Sequence, residues 1–421
     1  MNHRSSFINT VDTLVIGAGQ AGLVTSYHLR SHGIEHLVIE SEGRPAHKWT
    51  DRLWDSFTLV TPNWTFRIPG AEYDGTDPHG FMTKAEVAAR FKAYVAKYQL
   101  PVLYNTRVLS VTAGVDDDFE VETNAGKMRA KQVVMATGLF QTSRIPSFER
   151  GFSSHVRQLH SSEYKNPEQL GRGAVLVVGS SQSGAQIADE INRSNRKVFL
   201  CVGESGRAPR RYRGKDSSEW LELLGLADKT VDQLMSPGIK FAANPHIVGR
   251  SDGRDINLHR FHRDGITLLG RLMDVRNSTI YLAPDLHRNL KLADEFEKSL
   301  LEQIDQYIAE HRLDCESQRL TQWKDGFECE QLSSLDATRE GIETVIWATG
   351  YRFDFSLVDF PVFDEDGYPV QKRGVTAQPG LYFVGLPWLY KQKSGLLGGV
   401  GDDAAHVVSE IVRRTSAVRH G

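Results

Sequence analysis

Short apolar runs, each closed by glycine and followed by a helical spacing of apolar positions, recur along the chain. Residues 11–16 read as a buried strand, the positions beyond Gly22 as a helix ended by Gly33, and His36-Leu37-Val38-Ile39 as a second strand closing on Glu40. The segment 48–64 has neither period and carries Trp49, Trp54 and Trp64. Thr83 as N-cap with Glu86 three residues on predicts a helix over 84–98, stopped before Pro101. Residues 102–136 read as strands with turns at Asp116-Asp117-Asp118 and Asn124-Ala125-Gly126. The last of them, 132–135, runs into Ala136-Thr137-Gly138. The pattern then starts again. Residues 173–178 form an apolar run, 185–192 a helix and 197–203 a strand, and after helices over 219–224, 230–234 and 292–311 the run 343–347 enters Ala348-Thr349-Gly350. A strand-to-turn passage over 380–388 and a helix opened by Gly395 to Ala405 complete the chain.

The glycines give this pattern chemical meaning. Val15-Ile16-Gly17-Ala18-Gly19-Gln20-Ala21-Gly22 is G-x-G-x-x-G between a strand and a helix. Gly17 permits the tight turn, Gly19 lets backbone approach a pyrophosphate, and Gly22 lets the helix pack on the sheet. The helix start then offers unpaired N–H groups to the phosphates. Glu40 stands where a carboxylate would take ribose hydroxyls. Gly179-Ser180-Ser181-Gln182-Ser183-Gly184 repeats the turn with Ser181 at the middle glycine. The strand after it has no terminal carboxylate and is followed by Arg207, Arg210, Arg211, Arg213 and Lys215. Arginine can hold a ribose 2′-phosphate bidentately, so this second site is expected to prefer NADPH to NADH; the alternative is a solvated basic loop. Two glycine turns, each followed by a strand into A-T-G, describe an α/β chain with one Rossmann-like dinucleotide domain inserted into another.

Composition narrows the class. The chain of 421 residues holds 53 acidic and 50 basic side chains, a balance that points away from nucleic acid and anionic membrane as main partners. Three scattered cysteines form no C-x-x-C, which suits a reducing cytoplasm and neither a redox pair nor a zinc ribbon. The first residues are short and polar with no signal-like apolar region, and no run reaches the ~18 apolar residues of a membrane span. His259 and His262 show no metal spacing, so no metal is expected.

Both glycine turns, both A-T-G corners, the Trp-Asp-Ser and Thr-Pro-Asn loop and the terminal Gly-Val-Gly-Asp-Asp-Ala together resemble class B flavin-dependent monooxygenases. That family includes flavin-containing N/S-monooxygenases and plant indole-pyruvate monooxygenases. The resemblance covers nearly the whole chain. The family signature between the domains, F-x-G-x-x-x-H-x-x-x-(Y/F), is matched at His160 and Tyr164, while Ser154 and Val156 replace its Phe and Gly. Tyr164-Lys165, in place of the Trp-Pro or Trp-Asp of Baeyer–Villiger enzymes, favours oxygenation at nitrogen or sulfur.

The resemblance implies FAD in residues 1–143 and 344–421, with an NADPH domain over 144–343. It implies reduction of FAD by NADPH, a C4a-(hydro)peroxyflavin, and transfer of one oxygen atom to a small organic substrate. Implied cofactor contacts are Gly17, Gly19, Gln20, Ala21, Gly22, Glu40, Trp49, Trp54, Thr61, Asn63, Val108, Ala136, Thr137, Gly138, Gly385, Leu386, Leu397 and Gly399 for the flavin part. For the coenzyme part they are Gly179, Ser181, Gln182, Ser183, Gly184, Arg207, Arg210, Arg211, Ala348, Thr349 and Gly350. Asn63 is the match for the family's Asn over the flavin, and Lys391 would bond the oxygenated adduct if it lies close to the ring; the alternative for Lys391 is an exposed loop lysine. Trp54, Trp64 and Trp388 are candidates for walls beside the ring, with core packing the alternative. Asp402 and Asp403 are expected to point away from the ring. Two further functions stay open: an oxidase or quinone reductase of the same fold that releases peroxide, and a redox sensor that binds both cofactors without turnover.

Overall fold

The computed structural model describes residues 7–234, 236–242, 244–250 and 254–420. Two parallel sheets, each flanked by helices, are laid down by the two halves of the repeating pattern. In the first, β1 (Phe7–Ile16) leads through α1 (Gln20–Ser31) to β2 (His36–Ile39), and α2 (Lys84–Tyr98) to β3 (Val102–Leu103). A meander follows: β4 (Val108–Ala113), β5 (Phe119–Thr123) and β6 (Gly126–Met135). Strand β1 pairs in parallel with both β2 and β6, with Ile16 beside Ile39 and Met135.

The chain then enters the second sheet. Its strands are β7 (Arg157–His160), β8 (Ala174–Val178), β9 (Val198–Cys201), β10 (Thr267–Leu269) and β11 (Ile342–Trp347). All pair in parallel in the order β10-β9-β8-β11-β7. Helices α3 (Gln182–Arg193) and α4 (Leu286–His311) belong to this half. Because β11 runs from 342 to 347, the expected division at 343 falls inside a strand of the second sheet. The chain returns to the first sheet with β12 (Gln371–Lys372), β13 (Val375–Thr376) and β14 (Leu381–Phe383), the last parallel to β6. Helix α5 (Val400–His420) then packs beside α1.

The burial pattern follows from the parallel topology. Strand β8 is buried at every position, as a strand covered by helices on both faces must be, and so reads as Ala-Val-Leu-Val-Val. The predicted capping box is present: Thr83 Oγ1 accepts the Glu86 amide, and Glu86 returns a carboxylate to the Thr83 N–H at 2.7 Å. Helix α4 starts at Leu286, six residues before its expected start. Among the described residues no helix is long and apolar enough to cross a membrane.

Candidate functional site

At the first turn, Gly17 has φ +106° and donates its N–H to Ile39 O at 2.8 Å. A Cβ on Gly17 would lie 2.9 Å from Ala136 O, and one on Gly22 would lie 1.8 Å from Gly17 O. Strand end, helix start and A-T-G corner therefore meet at a spacing that only glycine fits. Gly19, the N-cap of α1, differs: a Cβ there would meet nothing within 4 Å, and no side chain caps the helix. This is the open cradle a pyrophosphate requires, with helix N–H groups at its edge.

Glu40 is buried beside that cradle. Its Oε2 accepts the Ala18 N–H at 2.9 Å and its Oε1 the Glu42 N–H at 3.0 Å, so the carboxylate is fixed with lone pairs to spare. Gln20 donates Nε2–H to Gly395 O at 2.7 Å, tying α1 to the loop before α5. Ala21 leaves no room for a Cβ on Gly385, 2.4 Å from its own. Leu386 and Leu397 are buried next to this seam, and a Cβ on Gly399 would strike Lys393 O. Gly138 has φ +69° and open space beside it, and Gln141 braces the corner through Thr137 Oγ1 and Gly138 O. Lys48 adds a positive charge, its Nζ 3.2 Å from Thr137 O; burial, with Arg52 adding to it, pushes the ammonium down to about 8. Val108 sits on β4 at half burial, away from the turn in sequence and paired with Thr123.

The second turn reproduces the first. Gly179 has φ +98° and donates to Cys201 O at 3.2 Å. A Cβ on it would lie 2.6 Å from Ala348 O, and one on Gly184 would lie 1.9 Å from Gly179 O. Ser181 is the N-cap of α3 at φ −63°, ψ −179°, against −78°, −175° for Gly19, so the serine keeps the extended cap geometry. Ser183 follows in the first turn of α3, half-buried. Gln182 is held through both amide atoms by the Ile247 backbone, at 2.8 and 3.1 Å. The imidazole of His246 bonds Ser180 O, and burial pushes it down to about 4. Gly350 matches Gly138, with φ +78° and open space; Thr349 bonds Arg144 O, and His160 Nε2 lies 3.0 Å from Gly350 O. Tyr164 is buried and donates to Glu190 at 3.0 Å.

Several expected residues stand elsewhere. Arg207 is buried, in ion pairs with Asp294 and, at 2.8 Å, Glu297 on α4. Arg210 is buried too: it pairs with Asp216 and donates to Val248 O and Val60 O, each at 2.7 Å. Neither guanidinium is presented to a ligand, which corrects the expectation that both receive a phosphate. Arg211 is exposed and bonds Gly214 O. Arg210 instead clamps the Trp-containing loop of the first half onto the second.

Trp54 is another correction. It is 4% exposed and lies in the apolar core of the second half, edge-on to Phe57 at 5.2 Å. Trp49 is half-buried against Phe57. Trp64 lies under the Arg67 guanidinium and, with Pro78, His79, Glu219 and Glu222, lines a cleft of about 310 Å³ between the halves. Asn63 is buried and uses its amide within its own loop, donating to Asp77 O at 2.9 Å and accepting the Met82 N–H at 2.7 Å; Thr61 is half-buried beside it in sequence. Lys391 pairs with Asp228 at 2.7 Å, joined there by Lys393 at 3.0 Å, so it acts as a clamp between the halves. Trp388 is half-buried in the turn after β14 at φ +54°. Asp402 is exposed and Asp403 is buried, with its carboxyl pushed up by that burial.

Sequence reasoning missed Lys48, His246 and Asp228. Lys48 beside Trp49 at a glycine-poor bend carried a local signal; the other two act through partners distant in sequence.

The sequence pattern described as pyridine nucleotide-disulphide oxidoreductase matches residues 14–247. An uncharacterized CzcO-like oxidoreductase of Geobacillus kaustophilus is 34% identical over 404 residues, covering 96% of this chain and 98% of that protein. A probable indole-3-pyruvate monooxygenase of Arabidopsis thaliana, YUCCA3, is 25% identical, covering 97% and 90%. Among solved structures, a flavin-containing monooxygenase from Stenotrophomonas maltophilia aligns with a TM-score of 0.65 at 21% identity, over 97% of this chain and 100% of that one.

Proposed function

Because the chain belongs to the pyridine nucleotide-disulphide oxidoreductase family, and within it to the class B flavin-dependent monooxygenases, we propose that it uses a nicotinamide coenzyme and molecular oxygen to place one oxygen atom on a small organic substrate, at nitrogen or sulfur. The observation that carries this reading is the one difference between two otherwise matching turns. At the first, a buried carboxylate, Glu40, is fixed beside the open cradle of Gly19, which suits a dinucleotide held throughout turnover. At the second, the residue following the matching strand pair is Val202, so less holds a dinucleotide there, which suits a coenzyme that arrives and leaves. We assign FAD to the first turn, in residues 1–143 and 344–421, and the coenzyme to the second, in 144–343.

Bound flavin supplies two-electron acceptance from the nicotinamide and delivery of those electrons to oxygen. The protein supplies position and charge. The α1 amides and Lys48 would face the pyrophosphate, Glu40 the ribose diol, and Gln20 would hold the Gly395 loop against the same edge. The Arg210 and Lys391 clamps keep the two halves together, which limits water between the sites. NADPH dependence would need a cation for the 2′-phosphate, and Arg211 alone of the expected three remains at the surface. The thiols take no part in this reading: Cys201 is buried and pushed up to about 12, and all three cysteines are free. Free thiols suit a reducing compartment, and we place the protein in the cytoplasm.

The test is the ratio of reduced coenzyme consumed to hydrogen peroxide released, measured with a panel of amines and sulfides. Coupled turnover with at least one substrate supports oxygen transfer. Full conversion to peroxide with all of them would mean an oxidase or reductase. Failure of the coenzyme to bleach the flavin without oxygen would mean a sensor.

A further inference from the structure

We propose that the second turn is built for a nicotinamide coenzyme whose adenosine ribose carries no 2′-phosphate, and that Glu204 is the residue that turns the phosphate away. The proposal rests on reading this turn as the coenzyme site. It starts from register. Gly17 donates to Ile39 O and Gly179 to Cys201 O, so β2 and β9 end at equivalent points. Glu40 therefore corresponds to Val202, which is fully buried and offers no polar atom to a ribose.

The chain past that point is open. Gly203 donates its N–H to Ser180 Oγ at 3.1 Å, which pins it beside the turn, and a Cβ there would meet nothing within 4 Å. The first charged side chain beyond the strand is Glu204. It stands two residues past the position of Glu40, on the side where the ribose of a dinucleotide on this turn would lie. A carboxylate there accepts ribose hydroxyls and repels a phosphate.

The cations that could offset that repulsion are taken. Arg207 is held by Asp294 and Glu297, Arg210 by Asp216, Arg213 by Asp305 and Arg271 by Asp285. Arg288, near the start of α4, pairs with Glu204 itself at 2.7 Å. That pair is exposed on both sides, so it is weak and opens readily. A phosphate entering here would have to draw Arg288 away and leave Glu204 uncompensated next to it, whereas a ribose diol would leave the pair intact.

Equilibrium titration of the FAD-loaded protein with oxidised NAD and with oxidised NADP, followed by calorimetry, tests this without turnover. NAD is expected to bind about tenfold tighter or more. Glu204→Gln should close most of that gap by tightening NADP, and Arg288→Ala should leave NADP weak; the flavin absorbance checks that each variant is folded. NADP binding as tightly as NAD, or a gap that Glu204→Gln leaves unchanged, would overturn the role of Glu204. If neither nucleotide binds, the coenzyme-site reading itself falls.

Discussion

Gly179 and Ala348 approach so closely that a Cβ on the glycine would lie 2.6 Å from the alanine carbonyl oxygen. The same contact joins Gly17 to Ala136. In each half the A-T-G corner is thus the surface against which the glycine turn is pressed. The two motifs, more than a hundred residues apart in sequence, are two sides of one packing contact.

That contact separates the roles of the glycines. Gly22→Ala and Gly184→Ala put a Cβ within 2 Å of a backbone oxygen, so each should weaken its own half. Gly19→Ala should fold with an unchanged melting temperature, because its Cβ meets nothing. It should still purify with less flavin, since the methyl occupies the pyrophosphate cradle. Flavin content and the melting curve, measured together, check this; full flavin in Gly19→Ala would show that the cradle lies elsewhere.

Arg207→Ala should act on stability. Removing the guanidinium leaves Asp294 and Glu297 without their shared partner, a loss of about 3–5 kcal/mol for a buried pair of this kind. The ratio of NADP to NAD affinity should stay as it is. Urea unfolding with nucleotide titration of the surviving protein distinguishes the two effects, and a changed affinity ratio with unchanged stability would return Arg207 to the coenzyme site.

The glycine turns, the A-T-G corners and the Thr83–Glu86 cap were legible because each is a constraint on neighbouring backbone. A tight turn needs Gly17 whatever surrounds it, and Glu40 follows from the length of one strand-helix-strand unit. The arginine cluster was legible as charge and illegible as function. Its partners lie on α4, some ninety residues on, and no local pattern ties Arg207 to Glu297. Trp54 failed for a similar reason: the loop that carries it crosses into the other half, and its burial is set by residues such as Tyr164 and Leu159 that join the same core. Lys391 carried no sign that Asp228 would meet it.

Lys48 should make flavin binding depend on pH. Burial lowers its ammonium to about 8, below the ordinary lysine value, so folding favours the neutral amine and the charged form costs stability below that pH. An anionic pyrophosphate beside it favours the ammonium again. Binding of FAD above pH 8 should therefore take up a proton, and affinity should fall as pH rises from about 8 towards 10. Calorimetry in buffers of different ionisation enthalpy measures the uptake, and Lys48→Met should abolish it. Equal uptake in that variant would assign the proton to another group.

His246 should set an acid limit. Its Nε2 bonds Ser180 O, which suits the neutral ring with its proton on that nitrogen. Burial first, and Arg207 with it, lowers the folded value to about 4. The unfolded ring takes a proton below about 6.5, while the folded ring resists until about 4. The contribution is whole above the unfolded value and is lost as pH falls from about 6.5 to 4, because in that window the unfolded chain binds the extra proton. Glutamine can donate to the same carbonyl and does not titrate, so His246→Gln should flatten the fall of the urea midpoint across this window. The second turn is where protonation acts, so nucleotide affinity of the wild-type protein should decline over the same range, and a midpoint slope identical in the variant would place the acid sensitivity in another residue.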